Sequence, residues 1–404
     1  MRDDFDLKIE KTLARQVGYR CSNPDCRRAT GGPRTELAGA VDAGVAAHIT
    51  AVSPGGLRYD PALSPEARSS VDNGIWLCRD CARQVDGDVQ RFTADLLREW
   101  KHRAEGLHLA RLGETYLRQG DARRAIGAFE RALAAARRIG DRQMEGDALG
   151  NLGVAHRRRG QVRQAIECHQ EGLAIAREIG DRRGEGVHLG NLGLAYRHLG
   201  EVRRAIECHE WALEIAREVG DRRGEGVHLG NLGNACYALG ELSQAIDHYE
   251  GALEIARELG DRRVAGRQLS NLGSAYRELG KVQKAVEMFE QALEIARQIG
   301  DRRGEGSRLS NLGNACFELG QVQKAVDCYE GALEVAREIG DRCIEGTTLA
   351  NLGLLARDQG SAARARRLWQ QALCVFEAVE HPGAVRVRLW LAELGPTGIG
   401  GLLH

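Results

Sequence analysis

A repeat of 40 residues constrains this chain more than any other feature of its sequence. The triplet Asn-Leu-Gly recurs six times at that interval, beginning at Asn151, Asn191, Asn231, Asn271, Asn311 and Asn351. A glycine follows each triplet, from Gly160 to Gly360, and Gly-Asp pairs recur from 140/141 to 340/341. Apolar residues between these turns have helical spacing. Each unit is therefore predicted to be two helices that end at glycine turns.

An alanine at the same interval predicts a close contact between the two helices of each unit. It recurs at Ala125, Ala165, Ala205, Ala245, Ala285, Ala325 and Ala365. A unit of this size cannot bury its apolar face alone, so successive units are expected to stack into a solenoid. The segment that follows Pro382 predicts a final helix that caps the stack, with a flexible tail after it.

The repeat pattern, as in NLGLAYRHLGEVRRAIECHEWALEIAREVG, resembles the tetratricopeptide repeat (TPR) over about seven units, roughly residues 109–380. The resemblance implies a mainly α fold, a TPR-type α-solenoid. The period is 40 residues, not about 34, which predicts longer helices. The first helix of each TPR lines a concave groove, and this places the six recurring asparagines on the inner side. We expect their amides to contact a protein or peptide ligand, unless they only bond neighbouring helices and order the stack.

The N-terminal part contains four cysteines in two closely spaced pairs. Four residues separate Cys21 from Cys26, and two separate Cys78 from Cys81. Such pairs in polar, turn-like segments favour a tetrahedral four-thiolate site for Zn²⁺. A site closed by four sulfurs has no open position for substrate, so the zinc would be structural and could stabilise a small domain. The alternative is four unrelated buried cysteines.

Local patterns predict the elements around these cysteines. Helical spacing covers Phe5–Val17, and residues 36–50 are predicted to form two short strands around a turn at 42–44. Asn73 is expected to open a short apolar helical start that leads into the second cysteine pair. Thr93 is a predicted N-cap for a helix to about residue 105 that joins the two halves.

Charge and hydropathy restrict the functions that are expected for the N-terminal and the repeat parts of the chain. The chain has 57 Lys+Arg and 57 Asp+Glu, so contact with nucleic acid would have to come from a local patch. No stretch approaches the roughly 18 apolar residues of a membrane span, and the N-terminus is dense in charge, which predicts a cytoplasmic protein without membrane contact. The predicted domains are residues 1–106 (zinc-binding module), 107–381 (TPR solenoid) and 382–404 (cap helix and tail).

Residues 18–104 combine Ala-His-Ile, Gly-Gly and Asn-Gly-Ile-Trp-Leu-Cys-x-x-Cys, and this combination resembles the HNH endonucleases with their ββα-metal fold. The resemblance implies that His48 is the general base that activates water for attack on a DNA phosphodiester. It also implies that Asn73 orients this histidine or helps to hold a metal. Mg²⁺ or another divalent ion would stabilise charge on the phosphate.

The chain departs from the HNH pattern at two positions that commonly serve the catalytic metal. Ala47 precedes the histidine, and Ala82 follows the last cysteine. Asp72, Asp86 and Asp88 are the nearby acidic residues that could replace these metal ligands.

The two resemblances together predict an HNH-type DNA endonuclease effector that a TPR sensor or scaffold gates or targets. Prokaryotic anti-phage defence systems commonly join a toxic nuclease to a repeat array, and a second copy of the chain could be the partner. Arg58, Arg68 and Lys101 are candidate contacts to the phosphate backbone. One rival is a non-catalytic TPR adaptor with a degenerate zinc module that binds protein or DNA. Another is a regulator that binds DNA in a salt-sensitive way without cutting it.

Overall fold

The computed structural model describes residues 5–30, 44–56 and 58–394, and these residues are mainly helical. The chain divides into two compact units, Met1–Glu201 and Val202–His404. The described residues of the first unit form helices α1 (Leu7–Gln16), α2 (Pro65–Arg68), α3 (Arg79–Gly87), α4 (Ala94–Arg118), α5 (Ala122–Ile139), α6 (Arg142–Arg158), α7 (Val162–Ile179) and α8 (Arg182–His198), with strands β1 (Gly44–His48) and β2 (Gly74–Cys78).

The second unit continues the helical repeat. Its described residues form α9 (Val202–Glu218), α10 (Arg222–Ala238), α11 (Leu242–Glu258), α12 (Arg262–Glu278), α13 (Val282–Gln298), α14 (Arg302–Glu318), α15 (Val322–Ile339), α16 (Arg342–Asp358), α17 (Ala362–Ala378) and α18 (Gly383–Glu393). Within each unit, a repeat helix packs mainly against its neighbours in sequence. The predicted helix pairs and the final helix after Pro382 are confirmed, and the tail from residue 395 lies outside the described residues.

The Gly-Asp pairs end one helix and begin the next. Gly140 and Gly180 have φ of 69° and 72°, a left-handed conformation that glycine adopts without a steric penalty. The next residue is an N-cap: the Asp141 carboxylate accepts a hydrogen bond from the Met144 N–H at 3.0 Å. The Asp181 carboxylate does the same for the N–H of residue 184 at 2.9 Å. Local chemistry therefore sets both boundaries of these turns.

Small residues allow the helices of each repeat to pack closely. The seven recurring alanines are all 0% exposed, as the sequence predicts. The glycine of Asn-Leu-Gly lies under a ring from the second helix of the repeat. A Cβ added at Gly153 would lie 2.6 Å from His169 Nε2, and one added at Gly353 would lie 2.3 Å from the Trp369 ring. Side chains do not approach so closely in packed interiors, so glycine is required under each ring.

The N-terminal strands form an antiparallel pair in which His48 lies opposite Gly74. The expectation that Asn73 opens a helical start is wrong, because residues 74–78 are strand β2. All five residues of β2 are buried, so the strand has no alternating polar face and a short apolar run of this kind resembles a helix in sequence. The predicted strand before 42 lies outside the described residues, and β1 pairs with β2.

Helix α4 belongs to both the N-terminal module and the first repeat. It begins where predicted, since the Thr93 hydroxyl accepts a hydrogen bond from the Leu96 N–H at 3.3 Å. It runs to Arg118, well beyond the predicted end near 105, and so passes through the predicted boundary at 106. Among the described residues, no helix combines the length and apolar character needed to cross a membrane.

Candidate functional site

The four predicted cysteine ligands come together in the first unit. The sulfur atoms of Cys21, Cys26, Cys78 and Cys81 all lie within 4.8 Å of one another. Cys26 Sγ and Cys78 Sγ are 3.9 Å apart, close to the sulfur–sulfur edge of about 3.8 Å in a tetrahedron with Zn–S bonds of about 2.3 Å. All four are free thiols. The donor set therefore fits a single tetrahedral zinc ion, and the alternative of four unrelated cysteines is excluded.

Two turns position the sulfurs. In the first turn, the Cys26 N–H donates to the Asn23 carbonyl at 3.1 Å, and the Asn23 side chain donates to Cys81 Sγ at 3.3 Å. In the second turn, Cys78 ends β2 and caps α3, where its sulfur accepts a hydrogen bond from the Cys81 N–H at 3.5 Å. N–H donors aimed at sulfur stabilise the thiolate form that binds metal.

Without a metal ion, the buried thiols resist ionisation. Burial raises the pKa of Cys21 strongly, and burial also raises the pKa of Cys81 to about 11. Burial opposes ionisation of Cys78 as well, but hydrogen bonds from the Cys81 N–H and the neighbouring thiols bring its pKa below the ordinary value. A divalent cation supplies the positive charge that lets all four thiols lose their protons together.

His48 lies at the end of β1, half-buried, with its ring stacked on Phe5 at a centroid distance of 3.9 Å. Side chains alternate along this strand. Val45 and Ala47 pack against the apolar cluster that contains the cysteines, whereas Ala46 packs against the cluster that contains Phe5. His48 is therefore on the face of the strand pair that α1 covers, not the face that contains the cysteines.

Asn73 positions the segment that follows His48. It is 6% exposed, and its Oδ1 accepts hydrogen bonds from the Thr50 N–H at 2.9 Å and the Thr50 hydroxyl at 2.7 Å. Its Nδ2 donates to the carbonyls of Thr50 at 2.9 Å and Arg68 at 2.8 Å. The whole amide is occupied by protein, so Asn73 holds the chain two residues after His48 and has no lone pair directed at a metal.

The two alanines that replace family metal ligands lie in one apolar cluster. Ala82 is 8% exposed and Ala47 packs against the same cluster, which includes Leu77 and Val85. Ala82 is buried in this cluster and Ala47 is partly buried against it, so apolar packing, not metal ligation, occupies both positions.

The acidic residues proposed as substitute ligands do not assemble around His48. Asp72, Asp86 and Asp88 are all exposed. Asp86 lies 3.6 Å from the Arg58 guanidinium, and the Asp88 carboxylate accepts a hydrogen bond from the Arg91 N–H at 3.0 Å. Within the part of the chain that the structure describes, the four cysteines are the only group of three or more potential ligands close enough to hold an ion.

The three basic residues predicted to touch phosphate are tied to the protein backbone instead. Arg58 donates to the carbonyls of Ile49 at 3.0 Å and Val85 at 3.0 Å. Arg68 is 9% exposed and donates to a carbonyl at 3.1 Å. Lys101 is 4% exposed, and its Nζ donates to the Val71 carbonyl at 2.6 Å. These interactions stabilise the loop between β1 and β2, and a charge this deeply buried cannot reach DNA.

The recurring asparagines are half-buried, and they fall into two groups. Asn191 donates to the Val187 carbonyl of its own helix at 3.0 Å. In the second unit, Asn271 and Asn351 donate to Asn234 Oδ1 at 3.4 Å and Asn314 Oδ1 at 2.9 Å in the preceding repeat. These contacts support the stack-ordering alternative. Asn151, Asn231 and Asn311 form no side-chain hydrogen bond with any described residue, and their amides remain available for a ligand.

Sequence reasoning missed the acceptors of this asparagine network. Asn234 Oδ1 also accepts a hydrogen bond from the Tyr249 hydroxyl at 2.9 Å, and Asn314 Oδ1 accepts one from the Tyr329 hydroxyl at 2.7 Å. The signal was present, because Asn-Leu-Gly-Asn occurs at 231–234 and 311–314, in two of the six repeats that carry the triplet.

A family model and the solved structures place the helical part among known proteins. The tetratricopeptide repeat model matches residues 102–178, 145–218, 184–258, 225–298 and 305–378. The structure is similar to BtubC (BKLC) from P. vanneervenii, with 25% identity, a TM-score of 0.50 and coverage of 55% of this chain and 92% of that chain. A search of curated proteins returned no match.

Two more distant structures share the fold alone. One is a Signal Transduction ATPase with Numerous Domains (STAND) protein with a tetratricopeptide repeat sensor from Pyrococcus horikoshii: 17% identity, TM-score 0.60, 77% of this chain and 46% of that chain. The other is the quorum sensor NprR from B. thuringiensis: 17% identity, TM-score 0.51, 78% of this chain and 95% of that chain. With the family model matching well over half of its length, this chain belongs to the tetratricopeptide repeat family.

Proposed function

We propose that the TPR array of this chain binds a protein or peptide partner and thereby targets or controls the zinc-stabilised N-terminal module. The observation that supports this proposal most directly is that helix α4 packs in both the module and the array. Its Leu97 and Trp100 pack in the cluster that contains the cysteines, and its Leu109 and Leu117 pack in the core of the first repeats. One continuous helix thus links the module to the array, so a partner that reorients the first repeat would also reorient the module.

The available asparagines support the binding part of the proposal. Asn231 and Asn311 lie at equivalent positions two repeats apart in the second unit, with amides that no described side chain occupies. Amides at regular steps suit the main chain of an extended peptide, which presents donors and acceptors at regular intervals. The STAND protein above is named for its TPR sensor, and we assign the same kind of role to this array. A second copy of the chain is included among the partners to be tested.

For the module itself, the geometry favours non-catalytic docking to protein or DNA. Ala47 and Ala82 contribute methyl groups to an apolar cluster at two positions that commonly serve the metal in the HNH family, and Asn73 uses its whole amide on Thr50 and Arg68. The Mg²⁺ of the nuclease hypothesis does not fit the described residues, because no carboxylates are grouped beside His48. The zinc ion fits its four thiols and would hold the two turns together without taking part in chemistry.

An HNH-type endonuclease is the second candidate, and one observation favours it. His48 ends β1, Asn73 holds the segment just after it, and β2 leads directly into the helix that carries Cys81. This is the order of elements that the HNH resemblance implies. In this candidate, His48 accepts the proton of the water that attacks a DNA phosphodiester. The coordination shell of the divalent ion would have to be completed by ligands from the substrate or a partner.

Plasmid cleavage separates the two candidates. Full-length protein is incubated with supercoiled plasmid and Mg²⁺, Mn²⁺ or Ni²⁺, with His48→Ala as the test variant and His198→Ala, an exposed histidine of α8, as the matched control. Docking predicts no metal-dependent product from any of the three proteins, with or without cell lysate. Nicking that His48→Ala abolishes and His198→Ala retains would replace docking with the endonuclease.

Peptide display tests the array. Peptides enriched on the full-length protein should bind the variant Asn231→Ala/Asn311→Ala at least about tenfold more weakly than they bind the wild type. This change in affinity corresponds to the free energy of one to two lost hydrogen bonds. Asn191→Ala is the control, since that amide is already bonded to its own helix. Equal binding by both variants would refute a role for the available asparagines.

A role in prokaryotic anti-phage defence belongs to this proposal, with the array as sensor and the module as the part that acts. A cytoplasmic location is proposed with it, because four free thiols require a reducing compartment. Efficiency of plating on cells that express the wild type, compared with Cys81→Ser, would test the role. Equal plating of phage on both strains would contradict it.

A further inference from the structure

A group of basic side chains lies beside the cysteines, where the segment after α1 packs on α4. We name it the arginine cluster, and it comprises Arg20, Arg27, His108, Arg111 and Arg131. A Cβ added at Gly18 would lie 2.5 Å from His108 Nδ1, so the segment rests directly on the helix. Arg20 donates to the Arg27 carbonyl at 3.2 Å, and Arg27 donates to the Cys21 carbonyl at 3.4 Å.

The charges of the arginine cluster act on one another. Burial lowers the pKa of His108, and Arg111, Arg27 and Arg131 lower it further. Arg20, Arg111 and Arg131 are exposed, and the buried Nη2 of Arg27 has no hydrogen-bond partner among the described residues. The cluster therefore gathers positive charge, and three of its arginines present that charge at the surface.

Several arginines elsewhere in the first unit form ion pairs. Glu145, with a side chain 7% exposed, bridges Arg137 at 2.8 Å and Arg142 at 2.6 Å. By contrast, none of the four arginines of the cluster forms an ion pair with a described residue. Like charges held together destabilise a fold, and the exposed arginines of the cluster are open to an external anion that would neutralise them.

Helix α4 carries part of the arginine cluster and also contributes to the apolar cluster beside His48. Phe5, which stacks on His48, belongs to an apolar cluster that includes Ala104 of α4. Ala104, His108 and Arg111 are four and three residues apart in sequence, so they lie along one face of that helix.

We propose that the arginine cluster binds the phosphodiester backbone of a nucleic acid. The planar guanidinium matches phosphate oxygens in a bidentate way, and all four permanent charges of the cluster are guanidinium groups, none of them ammonium. A phosphodiester strand presents like charges at a regular spacing of a few ångströms, which suits cations spread over a loop and two helices. The chain as a whole is neutral, so this local patch supplies the attraction that overall charge does not.

This inference rests on the proposed function only for its biological purpose, because it concerns binding and not cleavage. Fluorescence anisotropy of a labelled DNA duplex of about 24 base pairs, with full-length protein and no added divalent ion, measures binding alone. The test variant is Arg111→Glu/Arg131→Glu, at two exposed positions. The control is Arg364→Glu/Arg367→Glu, at exposed positions of the last repeat.

The wild type and the control should bind DNA with an affinity that falls steeply as the salt concentration rises. The test variant should bind at least about tenfold more weakly, and its slope of log K against log[salt] should be smaller in magnitude by about 2. Circular dichroism should show equal folding of all three proteins. Arg111→Lys/Arg131→Lys should recover much of the binding. Absence of binding by the wild type, or equal binding by the test variant, would overturn the inference. So would binding of poly-glutamate in preference to DNA, which would assign the cluster to an acidic protein.

A failure of partner binding or of endonuclease activity would be distinguishable from a failure of DNA binding by the arginine cluster. If partner binding fails, peptide display gives no ligand while DNA binding persists. If the endonuclease fails, His48→Ala and the wild type bind DNA equally and neither cuts it.

Discussion

His169 should make the first unit sensitive to acid. It occupies the position that Phe129 and Phe289 occupy in other repeats, and it is 0% exposed. Its Nδ1 lies 3.4 Å from His188 Nδ1, and its Nε2 has no hydrogen-bond partner among the described residues. Burial, together with the charges of His188 and Arg157, lowers the pKa of His169 to about 3. The ring is therefore neutral in the folded protein at any pH well above that value.

The sign of the effect follows from the two protonation states. In the unfolded chain a histidine takes up a proton below about pH 6.5. The folded state cannot take up this proton until the pH approaches the lowered value, so His169 stabilises the fold above pH 6.5 and this stability is lost as the pH falls. Between about pH 7 and about pH 5 the free energy of unfolding should decrease by about 2 kcal/mol through His169.

His169→Phe removes this titration and restores a ring that the repeat already accepts. Hydrogen exchange of peptides from α7 and α8, followed by mass spectrometry, measures the local free energy of opening, which suits an array whose repeats unfold unequally. Between about pH 7 and about pH 5, the local free energy of opening should decrease by about 2 kcal/mol more in the wild type than in the variant. The exposed His198→Gln is the control and should follow the wild type. Parallel pH profiles for wild type and His169→Phe would refute the reasoning.

Three further predictions concern the module and the packing of the first repeat. Purified wild type should contain one zinc ion per chain by elemental analysis, and Cys81→Ser should contain much less, with increased protease cleavage of the module; zinc content equal to wild type would contradict this. Asn73→Ala should lower the free energy of unfolding by about 3 kcal/mol because Thr50 loses its buried partners, and a change near zero in urea denaturation would contradict that assignment. Gly113→Ala should destabilise by about 1–3 kcal/mol, since the added Cβ would lie 2.5 Å from the Phe129 ring, whereas Gly127→Ala, in open space, should not; equal thermal midpoints would count against this contact.

The metal centre was predictable because its ligands are encoded by short spacings. Cys78 and Cys81 are one helical turn apart, so the turn that ends β2 brings both sulfurs to one point. That the pair at 21 and 26 joins them follows from the chemistry of zinc, which needs four ligands. The resistance of the Cys21 thiol to ionisation was not predictable, because it depends on how deeply this residue is buried.

The predicted catalytic residues were found at the expected places in the chain but in unexpected surroundings. Sequence placed His48 at the end of a strand, and it lies there. The face on which it lies depends on the register between β1 and β2, two strands separated by a long loop. Arg58 and Lys101 looked like surface cations because charged residues usually are, and only the fold shows that they bond carbonyls of that loop.

The sequence by itself determined the repeat: its period, its paired helices, its turns and its buried alanines. These follow from signals within a few residues, namely glycine at left-handed turns, aspartate at N-caps and apolar residues at helical spacing. Only the tertiary structure decided which polar groups remain available. Asn271 is bonded and Asn231 is not, and Arg142 is paired while Arg111 is not. Such differences depend on neighbours brought close from distant parts of the chain, and no local pattern specifies those neighbours.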